Sequence, residues 1–274
     1  MLVGLALAAC AGAPAAPETA PAPAELPPRS NASGLAVVEE RGAVERLLDA
    51  SDVDAVLGAR ARSFTRQVAL LAGDLTDAEL ERLVPAVREG FDARLLREDV
   101  AAFLEGEAPP GRIEEVLEWL EGGRSAEAHA IVDAYAPPLE LREWLAEHTT
   151  DPPSAIRIRQ VARWTEARGT GDFFLLVEQA LAEAAFSVRR VFRPDARAFR
   201  ALEGEELLDR LEASFNAAVV AELHRSETVP DSVIAGSTRE FESEAGVWYV
   251  RSYQLAVAEA IRAAGLRVVD ALAR

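Results

Sequence analysis

Val250, Tyr253, Val257, Ile261, Ala264, Val268 and Leu272 recur along 245–273 in steps of 3, 4, 4, 3, 4 and 4. That is the period of one face of an α-helix, whereas a half-buried strand would place apolar side chains at every second position. The same period fills most of the chain. Residues 172–192 carry Phe174, Val177, Leu181, Ala185, Val188 and Phe192 on one stripe, widened by Phe173, Leu176 and Ala180. So wide an apolar arc predicts burial on several sides and makes this the expected central helix. Glu178, Glu183 and Arg190 within it weigh against a membrane span.

Punctuation divides the rest into helices. Val37, Val38, Val44, Leu47 and Leu48 mark a stripe over 36–49, and a second helix starts after Ser51 or Asp52 and reaches about Leu71. Thr76 and Glu79 form a capping box, in which hydroxyl and carboxylate satisfy opposite orphan donors. The helix they open contains Pro85, which predicts a kink or a shifted start. Asp92 caps a helix through Leu104. Pro109-Pro110 precedes another over 112–121, and 126–147 continues with a break at Pro137-Pro138. Pro152-Pro153 opens a helix through Trp164, which Gly169-Thr170-Gly171-Asp172 breaks and recaps. The expected fold is an all-α multi-helix bundle built of two related halves, 35–150 and 151–274.

The start of the chain is of another kind. Leu7-Ala8-Ala9-Cys10, followed by Ala11-Gly12, reads as a bacterial lipobox, with 1–9 as a signal segment removed at maturation. Residues 2–9 fall short of the roughly 20 apolar residues a spanning helix needs. No Lys or Arg precedes them, so the signal is expected to begin upstream of Met1. Cys10, the single cysteine, would then carry acyl chains, palmitate among them; two or more chains anchor stably. Ala11 in place of Asp points to the outer membrane, facing the periplasm. Residues 10–34 form a tether, of which 11–33 are Pro/Ala-rich and too poor in large apolar groups to fold. As polyproline II, at about 3.1 Å per residue, they would reach roughly 70 Å.

Two segments share a pattern: 115–132 and 237–254 each run a short helix to an aromatic, a break with Gly, then a longer helix. At such a corner Ser can cap the incoming helix and Gly allows close backbone approach. Phe241-Glu242-Ser243-Glu244-Ala245-Gly246-Val247-Trp248-Tyr249 resembles the corner of an exported bacterial family called domain of unknown function 2059. Residues 44–57 and 75–92 are similar to the family's approach to that corner. The resemblance covers most of 40–135 and again about 195–262. It implies a helical, exported protein and no catalytic residue. The first copy departs from the pattern, with Gly122 where Ser is expected and Ser125 where Gly is.

Little here points to chemistry. All 29 basic residues are Arg, which removes Schiff-base lysines and a Walker-type lysine. The net charge of −17 weighs against nucleic acid as a partner. His129, His148 and His224 stand one or two residues from Glu127, Glu147 and Glu222, spacings that do not share a helix face. No metal or other cofactor is expected, and the histidines read as polar surface. Gly236-Ser237 lacks the strand-to-turn context of a nucleophile elbow. Gly169-Thr170-Gly171 could hold an anion at a helix N-terminus, but Asp172 fills that end, so it reads as a structural loop. The densest aromatic patch is Phe241, Trp248, Tyr249 and Tyr253, either core at a helix corner or a groove for a peptide or apolar ligand.

The expectation is a non-enzymatic envelope lipoprotein that serves as an interaction or structural module, with other envelope proteins as partners. The alternative is a helical carrier or chaperone whose apolar groove is lined near Trp164, Phe173, Phe241, Trp248, Tyr249 and Tyr253. An enzyme with a site assembled across helices stands third. A continuous empty apolar cavity would favour the carrier over the module.

Overall fold

The structure, a computed structural model, describes residues 42–51, 53–71, 75–121, 140–195 and 199–274, and side chains throughout these except 68–71. The expected signal segment, Cys10, the tether, His129 and the first corner at Gly122–Ser125 lie outside the described residues. The fold is all-α. Among the described residues there are eleven helices and no strand.

The first five helices follow the punctuation. They are α1 (Ala43–Ala50), α2 (Val53–Leu71), α3 (Asp77–Gly90), α4 (Ala93–Glu107) and α5 (Arg112–Glu121). The Thr76–Glu79 capping box forms in both directions at the start of α3, and Asp92 accepts from the amides of Arg94 and Leu95 at the start of α4. Helix α3 runs through Pro85 instead of restarting there. Pro85 faces solvent, where water can take up the Glu81 carbonyl that loses its amide partner. Arg97 of α4 clamps α1 and α2 by reaching Glu45, Asp49 and Asp54 at 2.9, 2.7 and 2.9 Å. Burial opposes its charge, but the three carboxylates outweigh it and raise its pKa.

The remaining helices are α6 (Leu141–His148), α7 (Ala155–Ala167), α8 (Thr170–Phe192), α9 (Gly204–Arg225), α10 (Asp231–Phe241) and α11 (Glu244–Ala273). Helices α1–α5 do not close a core by themselves. Helices α8 and α11 from the later sequence pack among them, bringing Val177, Leu181, Val188, Val257, Ile261 and Val268 against Leu47, Phe64, Leu96 and Val116. A second, smaller core joins α6, α7, α9 and α10 through Trp144, Val161, Trp164, Val219, Leu223 and Ile234. The main core therefore crosses the 150/151 boundary, and residues 40–274 form one compact unit.

Helix α11 shares the centre with α8. It buries residues on more than one side, Ala258 and Gly265 as well as the expected Val257, Ile261, Ala264, Val268 and Leu272. The expected stripe of α8 is rotated at its start. Gly171 lies so close to α9 that a Cβ there would sit 2.8 Å from the Phe215 Cα. Gly171 and Leu175, one turn apart, are buried on that side, and Phe174 is left 42% exposed.

Candidate functional site

The corner between α10 and α11 is built as the residue spacing suggests. The Ser243 side chain accepts from the Gly246 amide at 3.1 Å and caps α11. A Cβ on Gly246 would meet the Glu240 carbonyl oxygen at 2.5 Å and the Phe241 Cα at 2.9 Å. Only a residue without a side chain lets the two backbones come so near. The aromatic that plugs the corner is Trp119 of α5, whose ring lies 5.4 Å from Phe241 and 5.7 Å from Tyr249. The sequence pattern assigned Trp119 to the first corner; it packs on the second.

From that plug the rings continue along α11 and across to α8. Tyr249 and Tyr253 stand 5.5 Å apart, and Tyr253 and Phe173 stand 6.3 Å apart. They line a groove of about 730 Å³ where the two cores meet. Its other walls are Val56 and Arg60 of α2, Arg168 at the end of α7, Ala218, Ala221 and Glu222 of α9, and Gln254 of α11. Pockets that enclose small organic molecules run from roughly 300 to 1,000 Å³, so the volume suits one such molecule.

Four of the six expected groove residues meet here: Phe173, Phe241, Tyr249 and Tyr253. Trp164 does not. It is 1% exposed in the second core and donates from Nε1 to the Ser237 hydroxyl at 3.0 Å. Trp248 packs partly buried against the main core and lines no part of the groove. On a helix, Trp248 points about a quarter-turn from Tyr249, so neighbours in sequence part company.

The polar groups at the rim and floor are arranged in two places. At one end Arg168 lies over the Trp164 ring, 4.7 Å from its centroid, and its Nη1 donates to Glu222 Oε1 at 3.0 Å. Glu222 is 4% exposed, and its Oε2 is buried with no donor among the described residues. At the other end Arg60 lies over Phe173 at 5.5 Å. Burial lowers the Arg60 pKa, with Tyr253 acting the other way. The Tyr249 hydroxyl is enclosed, and burial pushes its pKa up, opposed by a hydrogen bond with Ser51 and by the Arg168 charge.

Comparison with protein-family models, with curated proteins and with solved structures finds no match.

The functional reading therefore rests on geometry. Gly169 takes a left-handed φ of 57° ahead of α8, and its carbonyl accepts from the Gln254 side chain at 2.9 Å, as the Arg168 carbonyl does at 3.2 Å. Gly169 is thus the turn that opens α8, and Thr170 and Gly171, expected in a loop, already belong to the helix, whose start forms one wall of the groove. His148 and His224 are half-buried, against the surface placement expected of them, because both pack on Trp144, at 4.2 and 5.8 Å. Among the described residues no group of three or more His, Cys, Asp or Glu side chains could hold a metal ion. A second hollow of about 750 Å³ lies between α8 and α9, but Arg200 and Arg210 there are already paired with Glu206 and Glu178 at 2.5 Å each.

Reading by spacing does not single out Arg60, Arg168 or Gln254 for the groove, and Glu222 draws notice only as a neighbour of His224. Two of them carried a signal. Glu222 interrupts the apolar run Ala217-Ala218-Val219-Val220-Ala221, and Gln254 directly follows Tyr253 beside the stripe of the last helix.

Proposed function

We propose that the protein is a non-catalytic carrier that holds one small, largely apolar molecule between its helices, attached to the bacterial outer membrane through a lipidated Cys10 and facing the periplasm. The observation that carries the reading is the groove of about 730 Å³ floored by Phe173, Phe241, Tyr249 and Tyr253. Aromatic rings offer large apolar faces at low conformational cost, and sites between helices are a common place for such ligands. The groove draws walls from both cores, so its shape is set by the packing of the whole unit and not by a loose loop. An interaction module needs no hollow of this kind, which favours the carrier over the module.

The test uses N-phenyl-1-naphthylamine, a neutral apolar fluorophore. It should bind the full chain with one-site stoichiometry. Ala221 is solvent-exposed on the groove wall, so Ala221→Trp should fill the hollow without disturbing either core and weaken binding at least about tenfold. A probe that does not bind, or that binds Ala221→Trp as it binds the wild type, overturns the reading.

A further inference from the structure

Arg60 is the least explained charge in the groove. Most other arginines around the unit have a described carboxylate: Arg97, Arg112, Arg157, Arg163, Arg262 and Arg267 each form an ion pair. Arg60 forms none among the described residues. Its Nε is buried and finds no acceptor among the described residues, while the guanidinium lies 5.5 Å from the Phe173 ring centroid. A buried donor without an acceptor costs about 1–3 kcal/mol. A half-buried cation beside aromatic faces, without an anion, is therefore a place where an acceptor from outside would be stabilised.

The charge balance of the groove points the same way. The chain as a whole carries −17. The groove inverts that sign: its lining includes Arg60, Arg168 and Arg225, against Glu222 alone among carboxylates. Arg168 is already held by Glu222, and Arg225 lies 3.8 Å from the same carboxylate oxygen. Arg60 remains for a ligand.

We infer that the groove selects an organic oxyanion: an apolar body lying on Phe173, Tyr249 and Tyr253, with its carboxylate or sulfonate oxygens set side-on against Nε and Nη of Arg60. Side-on pairing gives two parallel charge-assisted hydrogen bonds and supplies the acceptor that Nε lacks. The inference rests on the carrier reading and adds the ligand's charge and the residue that reads it.

Two fluorophores with one body separate the inference from the reading beneath it. N-phenyl-1-naphthylamine is neutral, and 1-anilinonaphthalene-8-sulfonate adds a sulfonate to the same rings. The wild-type chain should bind the sulfonate about tenfold more tightly or better. Arg60→Gln should abolish that preference, weakening the sulfonate probe at least about tenfold more than the neutral one, and Arg60→Lys should restore only part of it, because a point charge lacks the planar fork. Far-UV circular dichroism of Arg60→Gln should match the wild type, since no ion pair is broken. Equal affinity for the two probes, or a preference that survives Arg60→Gln, overturns the inference while the carrier reading stands on the neutral probe. Failure of both probes to bind removes both.

Discussion

Gly246→Ala should destabilise the protein although it replaces glycine with the best helix former, and Gly236→Ala, ten residues earlier, should do the reverse. Both glycines are helical, in α11 and α10. In a helix Ala is favoured over Gly by about 1 kcal/mol. At Gly236 nothing lies within 4 Å of the new methyl, so that gain is realised. At Gly246 the methyl would stand 2.5 Å from the Glu240 carbonyl oxygen and 2.9 Å from the Phe241 Cα and carbonyl oxygen. These are backbone atoms and cannot rotate away, so the corner must open. Forcing a methyl into a packed contact costs roughly 1–3 kcal/mol, and the upper part of that range applies where backbone must move. The net expectation is a loss of about 1–2 kcal/mol for Gly246→Ala and a gain of about 0.5–1 kcal/mol for Gly236→Ala. At about 2–4 °C per kcal/mol for a domain of this size, the melting temperatures should move down by about 2–8 °C and up by about 1–4 °C. Thermal unfolding followed by far-UV circular dichroism reads both. A Gly246→Ala protein as stable as the wild type would show that α10 and α11 do not meet as closely as argued.

Glu79 supplies a pH prediction. The Arg193 side chain, then the Thr76 amide, hold its carboxyl at about 2, below its ordinary value of 4.5. A depressed carboxylate stabilises the fold fully above its unfolded pKa and loses that contribution as pH falls through the folded value. Wild type minus Glu79→Gln should therefore show a stability difference that is constant above about pH 5 and vanishes towards pH 2, by denaturant unfolding at stepped pH; a difference independent of pH would refute it. Cys10→Ala, made with a complete signal segment ahead of it, should release the protein from the membrane fraction, and retention there would remove the anchor from the proposal.

Helix positions were legible in the sequence because their signals are local. The Thr76–Glu79 box, the Asp92 cap and the Ser243–Gly246 corner each act within one turn, so the residues that make them also reveal them. Which face of a helix is buried was less legible, because neighbours decide it. Phe174 fits the apolar stripe of α8 by spacing, but close contact of Gly171 with α9 turns that face outward at the start of the helix. The aromatic part of the groove could be read because Tyr249 and Tyr253 fall one turn apart on α11. The charged part could not. Arg60 and Phe173 lie more than a hundred residues apart, and only the passage of α8 beside α2 brings guanidinium to ring. The tryptophans show the same limit: Trp164 packs in the second core with a buried acceptor in Ser237, and neither contact is local in sequence.

The groove also has an energetic oddity that bears on its purpose. Two residues that line the groove, Arg60 and Glu222, each bury a polar atom, Nε and Oε2, without a partner among the described residues. Each unmet group costs about 1–3 kcal/mol, and apolar side chains in their place would fill the space and remove the cost. Folded proteins satisfy nearly all such groups, and local violations concentrate where a site must be kept open for something else. Ligand binding would then repair part of the deficit and press both cores onto one molecule. At a hundredfold excess over Kd, a ligand that binds only the folded state adds about 2.7 kcal/mol, or about 5–10 °C in melting temperature for a domain of this size. An oxyanionic ligand should produce that rise in the wild type and much less of it in Arg60→Gln, because the orphaned donor it would satisfy is gone.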